Sequence, residues 1–315
     1  MNAMKILSPG GYSTIQDNGR FGFQHMGVPV SGVLDKYAFY IANLLVGNPE
    51  NAPVLELTVM GPSVEILTEM DISLTGAQMG MTINGNPMAQ WRSIRVRPGD
   101  LVTIGQIQTG CRAYLAVSGG FDVPKIMGSH ATYTGAQMGG FKGRPIKTAD
   151  LLPVCTPSLI KGQRVLSEKY IPDYPAQIIV RAITGPQDDY FDQGLITLFE
   201  SEYMVSAKAD RMGYRLMGDP LSIKEGMPQS IVSEPSVPGS IQIPPDGQPI
   251  ILLVEQTVGG YAKAATIISS DIGRVAQATP GDRIKFEKTD ITLAHSLLAE
   301  HHQRLDQIRA LLNQL

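Results

Sequence analysis

The chain has 315 residues, 43% hydrophobic and 17% charged, with a formal net charge of -3. That length and apolar content support one large or two ordinary domains with sizeable cores, and they exclude a disordered chain. The balanced charge gives no electrostatic case for nucleic acid or an anionic membrane, and no apolar run of roughly 18 residues or more occurs. The opening "MNAMKILSPG" lacks an apolar signal segment, so the expectation is a cytoplasmic protein with no membrane and no nucleic acid among its partners. Cys111 and Cys155 are expected as free thiols in a reducing compartment.

The 33 glycines and 22 prolines are spread along the chain, which is the punctuation of many short strands joined by turns. The first segment with more than strand texture is 12–56. There Gln16, Asp17, Asn18 and Arg20 crowd around Gly19, followed by His25, a Pro29-to-Gly32 turn and Asp35. Asp35 can cap the helical run "KYAFYIANLLVG", with Gly47 as its stop. "SVEILTEMDISLTG", "QWRSIRVRPGDLVTIG" and "CRAYLAVSGG" then read as strands or strand pairs. A polar, Pro-rich stretch divides an N-terminal β-rich domain (1–155) from a second domain (175–315), with 156–174 as linker.

Beyond the linker, "AQIIVRAITG", "PIILLVEQTVGG" and "DRIKFEKTD" read as strands. Pro186 is placed to open a helix over 187–199, with Phe191, Leu195, Leu198 and Phe199 on one face. A tail helix is expected over 291–315, with Ile291, Leu297, Leu298, Leu305, Ile308, Leu312 and Leu315 near helical spacing. The fold class is therefore mainly β with few helices. The halves also echo one another: each opens with Gly-Pro ("VMGPSVEI", "AITGPQDDYF") and closes with Pro-Gly-Asp before a strand ("RVRPGDLVTIG", "QATPGDRIKFE"). Either each half is a similar β-barrel, or Pro-Gly-Asp is a turn that recurs on its own.

Generic catalytic motifs are absent. There is no Gly-x-x-x-x-Gly-Lys-Ser/Thr, no Gly-x-Gly-x-x-Gly after a strand and no Gly-x-Ser-x-Gly. The five histidines form no zincin pattern, and no metal site is expected. Ala3-Met4-Lys5-Ile6 has the look of a biotin-carrier tetrapeptide, but Lys5 has no preceding strand to make a hairpin tip, so no covalent biotin is expected on this chain. What recurs instead is polar residues beside glycines: "QDNGRFG", "GGFKGR", "ADRMGYRL", "SEPSVPGSIQIPPDGQP" and "EQTVGGYAK". Glycine lets backbone approach a ligand closely, and Arg20, Lys142, Arg144, Arg211, Arg215 and Lys263 add anion-matching donors. Each loop alone reads as a surface turn; five together point to a shared polar cleft.

"TIQDNGRFGFQHMGVPVSGVLDKYAFYIANLLVGNPENAPVLE" resembles the signature of the biotin-dependent carboxyltransferase family, also called KipA or allophanate hydrolase subunit 2. "YLAVSGGFDVP", "GGFKGRPIK", "ADRMGYRLMG", "SEPSVPGSIQIPPDGQPI" and "QTVGGYAK" extend the resemblance, in order, over residues 8–286. It implies β-barrel domains with a cyclophilin-like second half. One branch resembles the C component of an ATP-dependent 5-oxoprolinase, working with subunits A and B, with B as its nearest partner, to open 5-oxoproline to L-glutamate. A second forms half of the carboxyltransferase domain of urea carboxylase, and a third counteracts a kinase inhibitor. The sequence departs from the pattern at Glu255, where an Asp-rich approach to Gln-Thr is usual, and at Ala262, where proline is common.

Opening an unreactive cyclic amide asks for activation at the level of the complex by ATP, with or without a divalent cation. It also asks for donors facing developing charge, a base and groups that orient the amide. On the motif matches, Arg20, Arg211, Arg215 and Lys263 are the candidate donors and Asp17 or Asp35 the base. Gln16, Asn43, Tyr214, Gln242, Gly259, Gly260 and Tyr261 are the candidate substrate-binding set. A plainer reading stands beside this one: Asp35 only caps, Asn43 only ties a loop and Glu56 only pairs with an arginine.

Overall fold

A computed structural model of the chain describes residues 2–313; Leu315, assigned above to the tail helix, lies outside the described residues. Closeness of Cα atoms in space divides the chain into two compact units. One comprises Met1–Arg20, Ser31–Asp173 and Arg304–Leu315, and the other Phe21–Val30 and Tyr174–Gln303. Segment 156–173, read from the sequence as a linker, belongs to the first unit, residues 21–30 are grouped with the second, and 304–315 return to the first.

The first unit is built on a nine-stranded sheet. Its strands are β1 (Asn2–Ser8), β2 (Tyr12–Gln16), β3 (Val54–Thr58), β4 (Ser63–Ile66), β5 (Met70–Ile83), β6 (Asn86–Met88), β7 (Ser93–Val96), β8 (Leu101–Val117) and β9 (Leu151–Pro153). The path β2-β3-β8-β4-β1-β9 carries β5 on β8, and β5 in turn pairs with β6 and β7. Strand alternation drives Ile6, Ile15, Leu57, Leu74 and Leu115 into one core. Helix α1 (Lys36–Leu45) begins where the Asp35 carboxylate accepts from Ala38 N at 3.1 Å, and ends before Gly47 at φ +75°. Phe39, Ile41 and Leu45 pack with Trp91, Tyr114, Leu305, Ile308 and Leu312 in a second cluster.

The second unit is a closed seven-stranded barrel. It uses β10 (Gln177–Thr184), β11 (Glu202–Ala209), β12 (Gly213–Met217), β14 (Ser240–Ile243), β15 (Ile250–Leu252), β17 (Ala262–Ile267) and β18 (Arg283–Lys288). The order is β10-β17-β14-β15-β12-β11-β18, and a parallel β10–β18 ladder closes it. A separate two-stranded flap pairs β13 (Glu234–Pro235) with β16 (Val258–Gly259). The chain is thus mainly β, as expected.

The helix expected over 187–199 is instead a short 3-10 turn at Asp188–Tyr190 and a separate helix α2 (Gln193–Glu200). The break has a physical cause. Gly185 and Gln187 are tied by backbone hydrogen bonds to Ala264 and Lys263 of β17, and Phe191 is extended with its ring buried. A further short helix, α3 (Ile272–Ala276), carried no sequence signal. The tail helix α4 (Ile291–Asn313) forms as expected, burying Leu305, Ile308 and Leu312 and leaving Ile291 exposed.

Lys5 lies inside β1, paired with Glu65 and Leu151 of its two neighbouring strands and 3.7 Å from the Glu65 carboxylate. Cys111 is buried and Cys155 exposed, and neither forms a disulfide among the described residues. Among the described residues no helix is long and apolar enough to cross a membrane, and no group of three or more His, Cys, Asp and Glu is placed to hold a metal ion.

Candidate functional site

In the first unit Gln16, Asp17, Arg20, Asp35, Asn43 and Glu56 are buried and make hydrogen bonds within the unit. Gln16 donates to Thr14 Oγ1 at 3.0 Å and to the Thr132 carbonyl at 3.1 Å, and accepts from Gly32 N at 3.1 Å. The Asp17 carboxylate accepts from Gly19 N, Ser129 Oγ and His130 N at 2.9, 2.6 and 2.7 Å. Arg20 donates through Nε to the Ile126 carbonyl and through Nη2 to the Ala131 carbonyl, both at 2.9 Å; its buried Nη1 has no hydrogen-bond partner among the described residues. Burial lowers the Arg20 pKa, and the nearby Asp17 charge opposes that shift.

Asp35 caps α1, and its backbone N donates to Tyr114 Oη at 2.8 Å. Burial pushes the Tyr114 hydroxyl well above its ordinary pKa, and the charges of Glu56 and Asp35 push the same way. Asn43 Nδ2 donates to the carbonyls of Glu50 and Ala52, while its Oδ1 accepts from Asn48. Glu56 accepts from Leu34 N at 3.2 Å and stands 4.0 Å from Arg112 Nε. Ser129 and His130, which fix Asp17, had no sequence signal; they sit more than a hundred residues away in a segment without a motif.

The second unit holds a cavity of about 480 Å³ whose wall includes Lys208, Asp210, Met212, Arg215, Gln242, Ile250, Gln256 and Tyr261. It lies against the outer face of β11, β12, β15 and β14. Strand alternation decides who takes part. Arg215 faces outward, whereas its neighbour Tyr214 points into the barrel core, buried, with its hydroxyl donating to the Ala278 carbonyl at 3.3 Å. Tyr214 and Arg215, both expected to face substrate, therefore lie on opposite faces of one strand. Gln242 is 4% exposed, and its Nε2 has no hydrogen-bond partner among the described residues.

Lys263 is Gln242's cross-strand neighbour and is 5% exposed. Its Nζ donates to Glu234 Oε1 at 2.5 Å, and Gln187 Nε2 donates to the same oxygen at 2.9 Å. The Lys263 hydrogen bond, reinforced by Gln187, holds the Glu234 carboxyl below its ordinary pKa. Arg211 Nε meets Glu255 Oε1 at 2.6 Å, so the family departure at Glu255 supplies a partner for the motif arginine. Tyr261 stands 38% exposed on the cavity wall. Gly259 underlies the Gln242 amide, and Gly260 accepts from Ile231 N through its carbonyl. Glu234, Gln187, Gln256 and Lys208 were not singled out from sequence, although Glu234 and Gln256 lie inside quoted motif strings.

Arg215, Gln242 and Tyr261 thus share one cavity, and Lys263 adjoins it beside Gln242. Gln16, Asp17, Arg20, Asp35 and Asn43 belong to the first unit, where Asp35 caps α1, Asn43 ties it to residues 50–52, and Gln16, Asp17 and Arg20 hold the segments at 32 and 126–132.

Comparison with known proteins fits this architecture. The family of carboxyltransferase domains, subdomain A and B, matches residues 26–288. The C subunit of the Haemophilus influenzae 5-oxoprolinase is 35% identical over 312 residues, covering 98% of both chains. The Escherichia coli protein of the same name is 36% identical, covering 97% of both. The solved K. lactis urea amidolyase superimposes with a TM-score of 0.92 at 30% identity; 98% of this chain matches, but only 20% of that much longer one. With the family match running through both units and relatives aligned nearly end to end, this chain belongs to the family of carboxyltransferase domains, subdomain A and B.

Proposed function

We propose that the chain is a subunit of an ATP-dependent 5-oxoprolinase that opens 5-oxoproline to L-glutamate together with partner subunits A and B. The observation that carries this reading is the nearly full-length correspondence to the C subunits of two 5-oxoprolinases, where the urea amidolyase match occupies a fifth of a longer chain. The second unit supports it with chemistry suited to a small acidic amide: cationic side chains at Arg215, Lys208 and the adjoining Lys263, with Gln242 and Tyr261 for polar contacts. Gln16, Asp17 and Asn43 of the first unit act as scaffold, since their hydrogen bonds are made internally. ATP supplies activation of the amide oxygen at the level of the complex, in a place other than a P-loop of this chain.

The test is reconstitution. Glutamate release from 5-oxoproline and ATP is expected when the chain is combined with its A and B partners, and almost none from the chain alone. Robust turnover by the isolated chain would remove the shared-site part of the reading. The runner-up, a component of a biotin-dependent amide carboxylase, is favoured by the likeness to K. lactis urea amidolyase. Transfer of labelled carboxylate from carboxybiotin to an amide, with no glutamate release, would select it.

A further inference from the structure

Two pairs of residues are stacked in the second unit. On the barrel wall Gln242 of β14 lies opposite Lys263 of β17, and in the flap Glu234 of β13 lies opposite Gly259 of β16. The Glu234 carboxylate meets Lys263 Nζ at 2.5 Å, and a methyl group on Gly259 would fall 1.9 Å from Gln242 Nε2. The flap therefore covers both barrel side chains. One is answered and the other is not: Lys263 has its carboxylate, whereas the buried Gln242 Nε2 finds no acceptor among the described residues, which is disfavoured for a buried donor.

We propose that Gln242 and Lys263 form a binding site for a small ligand that carries both a carboxylate and an amide carbonyl, and that Glu234 holds the carboxylate's place until the ligand arrives. The proposal rests on the 5-oxoprolinase reading for its choice of ligand. The geometry supplies the rest. Lys263 already binds a carboxylate, so an incoming acid can replace Glu234 without stranding the buried ammonium. The ligand's carbonyl then gives Gln242 the acceptor it lacks. The displaced Glu234 side chain is 40% exposed and returns readily to water. A flap of two residues per strand is marginal by itself, and the adjoining cavity offers room for a ring. Glycine at 259 lets the flap backbone lie directly against the Gln242 amide, which a side chain there would push aside.

Calorimetric titration of the full chain with 5-oxoproline, and with cyclopentanecarboxylate as the acid without an amide, tests this. The wild type is expected to bind 5-oxoproline more tightly than the carbocyclic acid. Glu234→Gln, which removes the internal competitor but keeps an oxygen for Lys263, should tighten both by about tenfold. Gln242→Leu should weaken 5-oxoproline to the level of the carbocyclic acid and leave the latter unchanged, and Lys263→Met should abolish both. Should Lys263→Met fail to fold, the other two variants decide. Absence of binding by the wild type, or unchanged affinity in Glu234→Gln, overturns the site. Turnover of 5-oxoproline by the reconstituted enzyme with an unchanged KM in Glu234→Gln would retain the functional reading and reject this site. Binding that follows the variants, with no turnover in any reconstitution, would support the site and reject the functional reading.

Discussion

Arg211 sits in a glycine-containing loop that the sequence presents as a place to meet an anion, and the anion it meets is Glu255 of its own chain. Both side chains are nearly buried, so Arg211→Ala strands a carboxylate and should lower stability by about 3–5 kcal/mol in thermal or denaturant unfolding. A change within about 0.5 kcal/mol, the ordinary result at an exposed site, would show that the pair carries no structural load. Asn43 makes the same point about legibility. The sequence placed it correctly on α1 but left its role open, because its partners are the carbonyls of Glu50 and Ala52, and backbone acceptors have no residue type to read. Arg20 is held likewise by the carbonyls of Ile126 and Ala131. Charge and motif could nominate such residues; only the fold shows which of their hydrogen bonds are already made.

Turns account for the echo between the halves. In Arg97–Asp100 the Asp100 carboxylate accepts from Arg97 N, Asp100 N donates to the Arg97 carbonyl, and Gly99 N and the Asp100 carbonyl exchange bonds with Ile66. In Thr279–Asp282 the same four bonds recur, with Val205 in place of Ile66. A third copy, unforeseen from sequence, is Lys147–Asp150, whose exchange partner is Ile6. The recurring unit is thus the turn: the second half closes into a barrel and the first is a branched sheet. The third copy hid because its left-handed position, glycine in the others at φ +92° and +99°, is Ala149 at φ +70°. Ala149→Gly should therefore stabilise the protein by about 0.5–1 kcal/mol, read as a raised unfolding midpoint.

The same turn predicts a pH response. Arg144 grips both Asp150 oxygens at 2.7 and 2.8 Å, and this pairing holds the Asp150 carboxyl below its ordinary pKa of 3.8. A carboxyl lowered on folding contributes stability that is complete above that ordinary value and is lost as pH falls through the lower folded one. Acid unfolding of Asp150→Asn should lack this increment, and at neutral pH the variant should be less stable by about 1–3 kcal/mol.

At the scale of the whole molecule, local patterns announced strands and the tail helix but not how the second sheet closes. Closure rests on the parallel β10–β18 ladder between segments about a hundred residues apart, which no periodicity encodes. The destination of the tail was equally hidden. Helical spacing marked Leu305, Ile308 and Leu312 as one face, yet gave no hint that this face completes the cluster holding α1 and Trp91. Removing residues 304–315 should cost roughly 1.5–3 kcal/mol for each of the three buried side chains. Trp91, the single tryptophan, makes its fluorescence a direct monitor of that loss.

That arrangement bears on how the protein is made. The first unit is mostly translated early, but its second apolar cluster waits for Leu305, Ile308 and Leu312, which are made long after Asp173. At ordinary rates of translation, the stretch between Asp173 and Leu312 takes on the order of ten seconds to synthesise. Throughout that interval the nascent chain carries α1 with part of its apolar surface uncovered. The unit whose synthesis begins first can complete its second apolar cluster only after the barrel strands have been made.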